Sequence, residues 1–184
     1  MKYYKFLTEE HLGKYSRFDY TAYLPKNGKP GKWLPKVDSL LKCSSGYHAC
    51  EPDQVARWIN AELYEVEYRT KPEGDGEKVW GNKIRLVRKV EQWDERMQRL
   101  FAVWCAREAL KLVEKPDPRS IAACDVAERY ANSEATKEEM DAAYSAARAA
   151  ADAAYAAYSA ADAAARAAAY AAQSKKLLEM AGEP

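Results

Sequence analysis

The stretch from Leu41 to Arg69, LKCSSGYHACEPDQVARWINAELYEVEYR, changes its hydrophobic period twice, and only a mixed architecture accommodates that. Tyr47-His48-Ala49-Cys50 follows a Ser44-Ser45-Gly46 turn as a short strand, with Tyr47 and Ala49 on one face and His48 and Cys50 on the other. Glu51-Pro52-Asp53 then opens a helix, with proline in the first turn and acids at the positive end of the dipole. Val55, Trp58 and Ile59 give that helix an apolar stripe, and it is expected to end near Asn60. From Glu62 onward, Tyr64, Val66 and Tyr68 interleave with Leu63, Glu65, Glu67 and Arg69, the pattern of a half-buried antiparallel strand. Strand, helix and returning strand in succession predict an α+β fold.

The flanks extend this plan. Met1 to Leu7, MKYYKFL, mixes aromatic and charged residues at strand spacing and reads as the first strand. Glu9 to Tyr23 is divided between a short helix and a loop. Pro25 to Lys36, PKNGKPGKWLPK, carries three prolines, two glycines and four lysines, so it reads as a loop with a turn at Asn27-Gly28. Its Trp33 either stacks on a base beside phosphate-binding lysines or folds back onto the core. Pro72 to Gly76 is an acidic turn, and Lys78 to Val90 reads as a strand bent or interrupted at Gly81-Asn82.

At Glu91 the character changes. Trp93, Met97, Leu100, Phe101, Trp104 and Leu110 recur at helical spacing until Lys115-Pro116-Asp117-Pro118 stops the helix. A second helix is expected over Pro118 to Asn132, with Ile121, Cys124, Val126 and Ala127 inward and antiparallel to the first. Thr136-x-x-Glu139 is a capping-box signature for a third, which on alanine content alone is expected to run to about Met180, roughly 65 Å at 1.5 Å per residue. Advanced by 100° per residue, its Tyr144, Arg148, Asp152, Tyr155, Tyr158, Ser159, Asp162, Arg166, Tyr170 and Gln173 share a sector of about 120°. The opposite side is alanine only, a face for close packing on the preceding helices or on a second copy of the chain. Residues 1–90 are thus expected to form a small antiparallel sheet domain carrying the site, and 91–184 a helical region ending in a long Ala-rich helix.

A formal charge of +1 conceals a split. Residues 1–90 hold 17 Lys and Arg against 12 Asp and Glu, and 91–184 hold 12 against 16. Nucleic-acid binding is permitted for the first part without being required. With 5 Trp and 13 Tyr, a disordered chain is excluded. Cys43, Cys50, Cys105 and Cys124 lack the dense spacing of a disulfide scaffold, and MKYYKFLTEE has no apolar core of a signal peptide, so a reducing cytoplasm is expected. The Ala-rich stretch is too polar to span a bilayer, and no membrane association is expected.

Several chemistries fail on residue type. Cys43, His48 and Cys50 form a C-x4-H-x-C cluster, but no second ligand pair lies near, so no metal is expected and buried thiols are the plainer account. A Walker loop, a G-x-G-x-x-G turn, an H-E-x-x-H helix and a G-x-S-x-G elbow are absent, and no cofactor is expected. What remains is a polar set on strands and turns: Tyr4, Lys5, Tyr47, His48, Asp75, Glu77 and Lys78. A histidine, a tyrosine and a carboxylate on a small sheet suit cleavage of an N-glycosidic bond. The carboxylate opposes an oxocarbenium-like charge and His48 holds a ribose or phosphate oxygen. The expected catalytic residues are His48, Glu77 and Tyr47, with Lys5, Trp33, Lys78 and Trp80 binding substrate. The competing account makes His48 a hydrogen-bonded core residue and Glu77 an exposed turn acid.

Cys43-Ser44-Ser45-Gly46-Tyr47-His48-Ala49-Cys50, with Tyr64-Glu65-Val66-Glu67-Tyr68 and Lys83-Ile84-Arg85-Leu86-Val87, resembles a small uncharacterised domain family of tailed-phage and bacterial accessory proteins, whose first strand reads C-x-x-G-[FY]-H-x-C. That resemblance covers under a third of the chain and brings no activity with it. More distantly, Gly46-Tyr47-His48, Ala56-Arg57-Trp58 and the Tyr64 strand are similar to ADP-ribosyltransferase-like folds, with Glu77 as the candidate for the catalytic glutamate. Two functions follow as expectations. One is a phage-related or phage-defence accessory protein handling a nucleotide or nucleic acid, possessing glycosylase or ADP-ribosyl-type chemistry. The other is a noncatalytic interaction module, an inhibitor or decoy, acting through its helical region or dimerising through the alanine face.

Overall fold

The computed structural model describes residues 2–41, 44–156 and 159–160. Among these residues six strands form two antiparallel sheets of three. The first sheet has the order β1 (Tyr3–Leu7), β3 (Glu62–Tyr68), β6 (Ile84–Lys89), and the second has β2 (Tyr47–Ala49), β5 (Val79–Gly81), β4 (Glu73–Gly74). Two α-helices follow, α1 (Glu95–Leu110) and α2 (Pro118–Ala131), and 137–156 and 159–160 are also helical. The α+β class is as expected. The run of the last helix to Met180 lies beyond the described residues.

The chain divides into two compact units, residues 1–98 and 99–184. In the first, strand pairing closes on itself. β5 and β6 are one segment broken at Asn82-Lys83, so the chain leaves the second sheet and enters the first. On the other side Tyr4 and Cys50 exchange main-chain hydrogen bonds of 2.8 Å each way, joining β1 to the end of β2. The ring so formed encloses Leu7, Tyr47, Tyr64, Val66, Tyr68, Val79, Ile84 and Leu86. Tyr64, Val66 and Tyr68 therefore occupy the inner face that their period-two spacing requires.

Gly81 is needed at the break, because a Cβ there would stand 2.5 Å from the Tyr68 ring. The Tyr68 hydroxyl donates to the carbonyls of Tyr47 at 2.8 Å and Val79 at 3.3 Å, tying the first sheet to the second. On the outer face Glu67 pairs with Arg85 at 2.6 Å and Glu65 with Arg88 at 2.8 Å, with Val87 bulged between the two registers. Asn27 and Gly28 both take positive φ in a tight turn between Lys26 and Lys29, as the sequence indicates. The segment beyond it covers the edge of β6 through Gly31, Leu34 and Val37.

Besides β4, a short strand inside the expected acidic turn, two local features of the first unit differ from expectation. The turn after Glu51 is a 3-10 helix over Pro52–Arg57 in which Gln54, and not an apolar stripe, is buried. A reciprocal cap explains this: Gln54 Oε1 accepts from the Glu51 amide at 2.9 Å, and Gln54 Nε2 donates to Glu51 Oε2 at 3.5 Å. Six residues cannot present an i, i+3, i+4 stripe to a core, so Val55 and Trp58 are half-buried and Ile59 exposed. Glu62 is the second difference, a buried carboxylate receiving Lys89 Nζ at 2.6 Å, His11 Nδ1 at 2.6 Å and the Tyr64 hydroxyl at 3.1 Å. Burial raises its affinity for a proton, but these three hydrogen bonds outweigh it and hold its pKa below the usual value.

In the second unit Arg107 of α1 bonds Asp125 at 2.9 Å and Glu128 at 2.6 Å on α2, while Arg99 lies over the Tyr130 ring, so the helices run antiparallel. Asp117 caps α2, and Cys124 and Ala131 are its buried positions, whereas Ile121 is exposed. The Thr136–Glu139 capping box forms as the sequence predicts, with reciprocal bonds of 2.7 and 3.2 Å. On the helix that follows, Ala150 is buried and Tyr144 and Tyr155 are exposed, but Ala151, Ala153, Ala154 and Ala156 are exposed as well, so the expected alanine packing face is not formed over that stretch.

Candidate functional site

β1 and β2 splay apart beyond the Tyr4–Cys50 pair, and a cavity of about 800 Å³ opens between them. Such a volume is that of a small-molecule site. Tyr4, Lys5 and Phe6 come from β1, Ser44 to Cys50 from β2 and its approach, and Gly13 to Ser16, Phe18 and Tyr20 from the first loop. Val37, Trp58 and Lys78 complete the described lining. Among the described lining residues seven are aromatic, three are lysines and one is histidine, and none is Asp or Glu.

Because Cys50 turns its main-chain groups toward Tyr4, strand alternation turns those of His48 the same way. At that level β1 no longer offers a strand partner, and Lys5 Nζ donates instead to the His48 carbonyl at 2.7 Å. The Lys5 ammonium also lies 5.0 Å from the Tyr20 ring centroid. Burial pushes Lys5 down to about 8, opposed weakly by Cys50. Two partners do not replace the water lost.

His48 faces Trp80 across β2 and β5, ring centroids 6.2 Å apart. His48 Nε2 and Trp80 Nε1 are both buried with no hydrogen-bond partner among the described residues. Burial lowers the His48 pKa, and the charges of Lys78 and Lys5 lower it further, against a bond to the Gly46 backbone and the charge of Asp75. The imidazole is therefore neutral at pH 7.

Four of the expected site residues meet in this cavity: Lys5, Tyr47, His48 and Lys78. The Tyr47 hydroxyl donates to the Pro35 carbonyl at 2.8 Å, and burial, with Tyr20 and Tyr23 nearby, raises its pKa, so it acts as an anchored neutral wall. Glu77 is placed elsewhere. Its side chain is 63% exposed, 3.5 Å from Arg57, and it does not line the cavity. Trp80 is 6% exposed and sits behind His48 as support. Trp33 lies on the outer face, between the guanidinium groups of Arg85 at 4.7 Å and Arg69 at 5.7 Å.

Other residues stand at or near the cavity. Trp58 donates its indole N–H to the Glu77 carbonyl at 3.0 Å and carries Lys78 Nζ 5.4 Å from its ring. Tyr15, 74% exposed, stands edge-on to Trp58 at 6.2 Å, and the pair frames the mouth. Asp75, whose Oδ1 accepts from the amides of Glu77 and Lys78 at 3.0 Å each, is the acid whose charge acts on His48. The density of Tyr15, Phe18, Tyr20 and Tyr23 among Lys14 and Arg17 was the signal available for the loop.

Cysteine chemistry finds no support in the geometry. Cys50 is 1% exposed, bonded to the Tyr4 carbonyl at 3.2 Å, and burial pushes its thiol up to about 11. Cys43 lies outside the described residues. Among the described residues no group of three or more His, Cys, Asp or Glu side chains is placed to hold a metal ion, and no helix is long and apolar enough to cross a membrane. Comparison with family models, curated proteins and solved structures found no match for this chain.

Proposed function

We propose that the cavity between β1 and β2 binds a nucleotide-class ligand, a planar base joined to a phosphorylated sugar. The observation that carries this is the lining itself: aromatic rings for a base, lysines at Lys5, Lys14 and Lys78 for an anion, and no carboxylate among the described lining residues to repel it. Tyr15 and Trp58 provide the faces for stacking, and Lys78, held over Trp58, provides charge beside them.

Cleavage of an N-glycosidic bond, in NAD or at a DNA base, is the chemistry this reading extends to, in a phage-related or phage-defence setting. Neither Asp75 nor Glu77 is among the described lining residues, so this reading assigns no carboxylate to that step. The test is calorimetric titration with NAD, ADP-ribose, AMP and adenosine, with chromatography of the same mixtures and of phage DNA for released base. We expect saturable binding of the phosphorylated ligands, adenosine weaker, and a loss of about tenfold in Lys78→Ala from one charged contact. Absence of binding by all three phosphorylated ligands at millimolar concentration overturns the reading, and binding without released base confines it to recognition.

A further inference from the structure

Of the three lysines lining the cavity, Lys14 is exposed, while Lys5 on β1 holds its amine at the root of the splay. Its hydrogen-bond partner is a main-chain carbonyl, its nearest ring is Tyr20, and no carboxylate forms an ion pair with it among the described residues. The titratable groups around it are His48 and Cys50 on β2 and Tyr20 of the loop, and none of them supplies a negative charge at pH 7. A purely structural position in this setting is better filled by methionine or leucine, since an ammonium without a counter-ion is costly to bury. Desolvation in an apolar pocket is also a recognised way to make a lysine nucleophilic.

Resting on the nucleotide reading of the same cavity, we propose that Lys5 is a carbonyl-reactive amine that forms an imine with the C1 aldehyde of a phosphorylated sugar held among these aromatic rings. The neutral amine adds its lone pair to the carbonyl carbon, forming the C–N bond as the C=O π pair takes up a proton on oxygen. The carbinolamine then loses that hydroxyl as water, the second proton leaving nitrogen for solvent in the cavity. One amine and one aldehyde become one imine and one water, with no change of oxidation state. With Lys5 brought to about 8, about a tenth of its amine is neutral at pH 7, against fewer than one in a thousand for an ordinary lysine. A base-release step of the proposed kind would deliver such an aldehyde, because a sugar freed at C1 opens to it.

The test is reductive trapping on the intact chain. The protein is incubated at pH 7 with sodium cyanoborohydride and either ADP-ribose or ribose 5-phosphate, and the adduct is mapped by peptide mass spectrometry. We expect adduct on Lys5 in excess of any surface lysine by about tenfold or more, following its larger neutral fraction. NAD, whose glycosidic bond blocks C1, is expected to compete. Lys5→Met loses the adduct, and its thermal midpoint shows that the variant is folded. Lack of Lys5 adduct with both sugars overturns the imine. Adduct from ribose 5-phosphate with no calorimetric binding of ADP-ribose overturns the nucleotide reading and leaves the imine standing.

Discussion

Tyr4 and Cys50 exchange two main-chain hydrogen bonds of 2.8 Å, and one pair further along Lys5 replaces the strand partner that β1 no longer supplies to His48. The cavity exists because pairing between β1 and β2 stops there. Its polar groups are consequently those that a strand edge would otherwise have satisfied, and their protonation is coupled to the fold.

Lys5 gives the clearest instance. Its amine falls from 10.5 to about 8 on folding, mainly through burial. The unfolded chain holds the proton up to the higher value and the folded chain only to the lower, so stability rises with pH between about 8 and 10.5. Below 8 the full penalty applies, roughly 3 kcal/mol. Lys5→Met is expected to be more stable than the wild type at pH 7 by about 1–3 kcal/mol in urea denaturation, with the difference fading by pH 10.5. An equal or lower stability for a folded Lys5→Met would show that the amine is already compensated.

His48 acts in a different window. Its folded pKa lies below the unfolded value of 6.5 because burial and the charges of Lys78 and Lys5 disfavour the imidazolium. On acidification the unfolded chain takes up the proton first, so stability declines as pH falls through about 6.5. Glu62, with its lowered pKa, adds a loss only below the ordinary carboxylate range. An NMR titration of the His48 ring should give a midpoint under 6.5, and His48→Phe should flatten the stability profile between pH 7 and 5. A midpoint at or above 6.5 contradicts the assigned environment.

Asp75 and Glu77 separate a turn acid from a bystander. Asp75 Oδ1 accepts two amide hydrogen bonds and organises the entry of Lys78 into β5, whereas Glu77 is exposed beside Arg57. Asp75→Ala is expected to cost about 1–2 kcal/mol and to weaken ligand binding, and Glu77→Gln to change stability by less than about 0.5 kcal/mol. Chemical denaturation and the calorimetric titration read both. Equal effects of the two substitutions would show that the Asp75 turn does not position Lys78.

The corner at Gly81 is sterically fixed. A methyl group there meets the Tyr68 ring at 2.5 Å, and that ring's hydroxyl holds the Tyr47 and Val79 carbonyls. Gly81→Ala is expected to cost about 1–3 kcal/mol by overpacking. Tyr68→Phe should cost about 1–2 kcal/mol by leaving acceptors unpaired. A Gly81→Ala variant as stable as wild type would mean that Tyr68 is free to withdraw.

The legible parts of this protein were those whose cause is local. Alternation at Tyr64, Val66 and Tyr68 fixed one face of β3, and the Asn27-Gly28 turn, the Thr136–Glu139 box and the bend at Gly81-Asn82 each follow from the chemistry of neighbouring residues. Of the seven site residues expected from the sequence, Lys5, Tyr47, His48 and Lys78 line one cavity, while Glu77, Trp33 and Trp80 do not. Only the tertiary structure decided which turn acid is tied into the main chain and which aromatics line the cavity. Asp75 and Glu77 are two residues apart and alike in sequence, but the Asx turn sends one inward and the other to solvent. Tyr15 and Trp58 meet across segments far apart in the chain, as do Arg85 and Trp33, and no periodicity records such meetings. Local patterns set which way a side chain points from its own strand, while closure of the strand ring sets what it then faces.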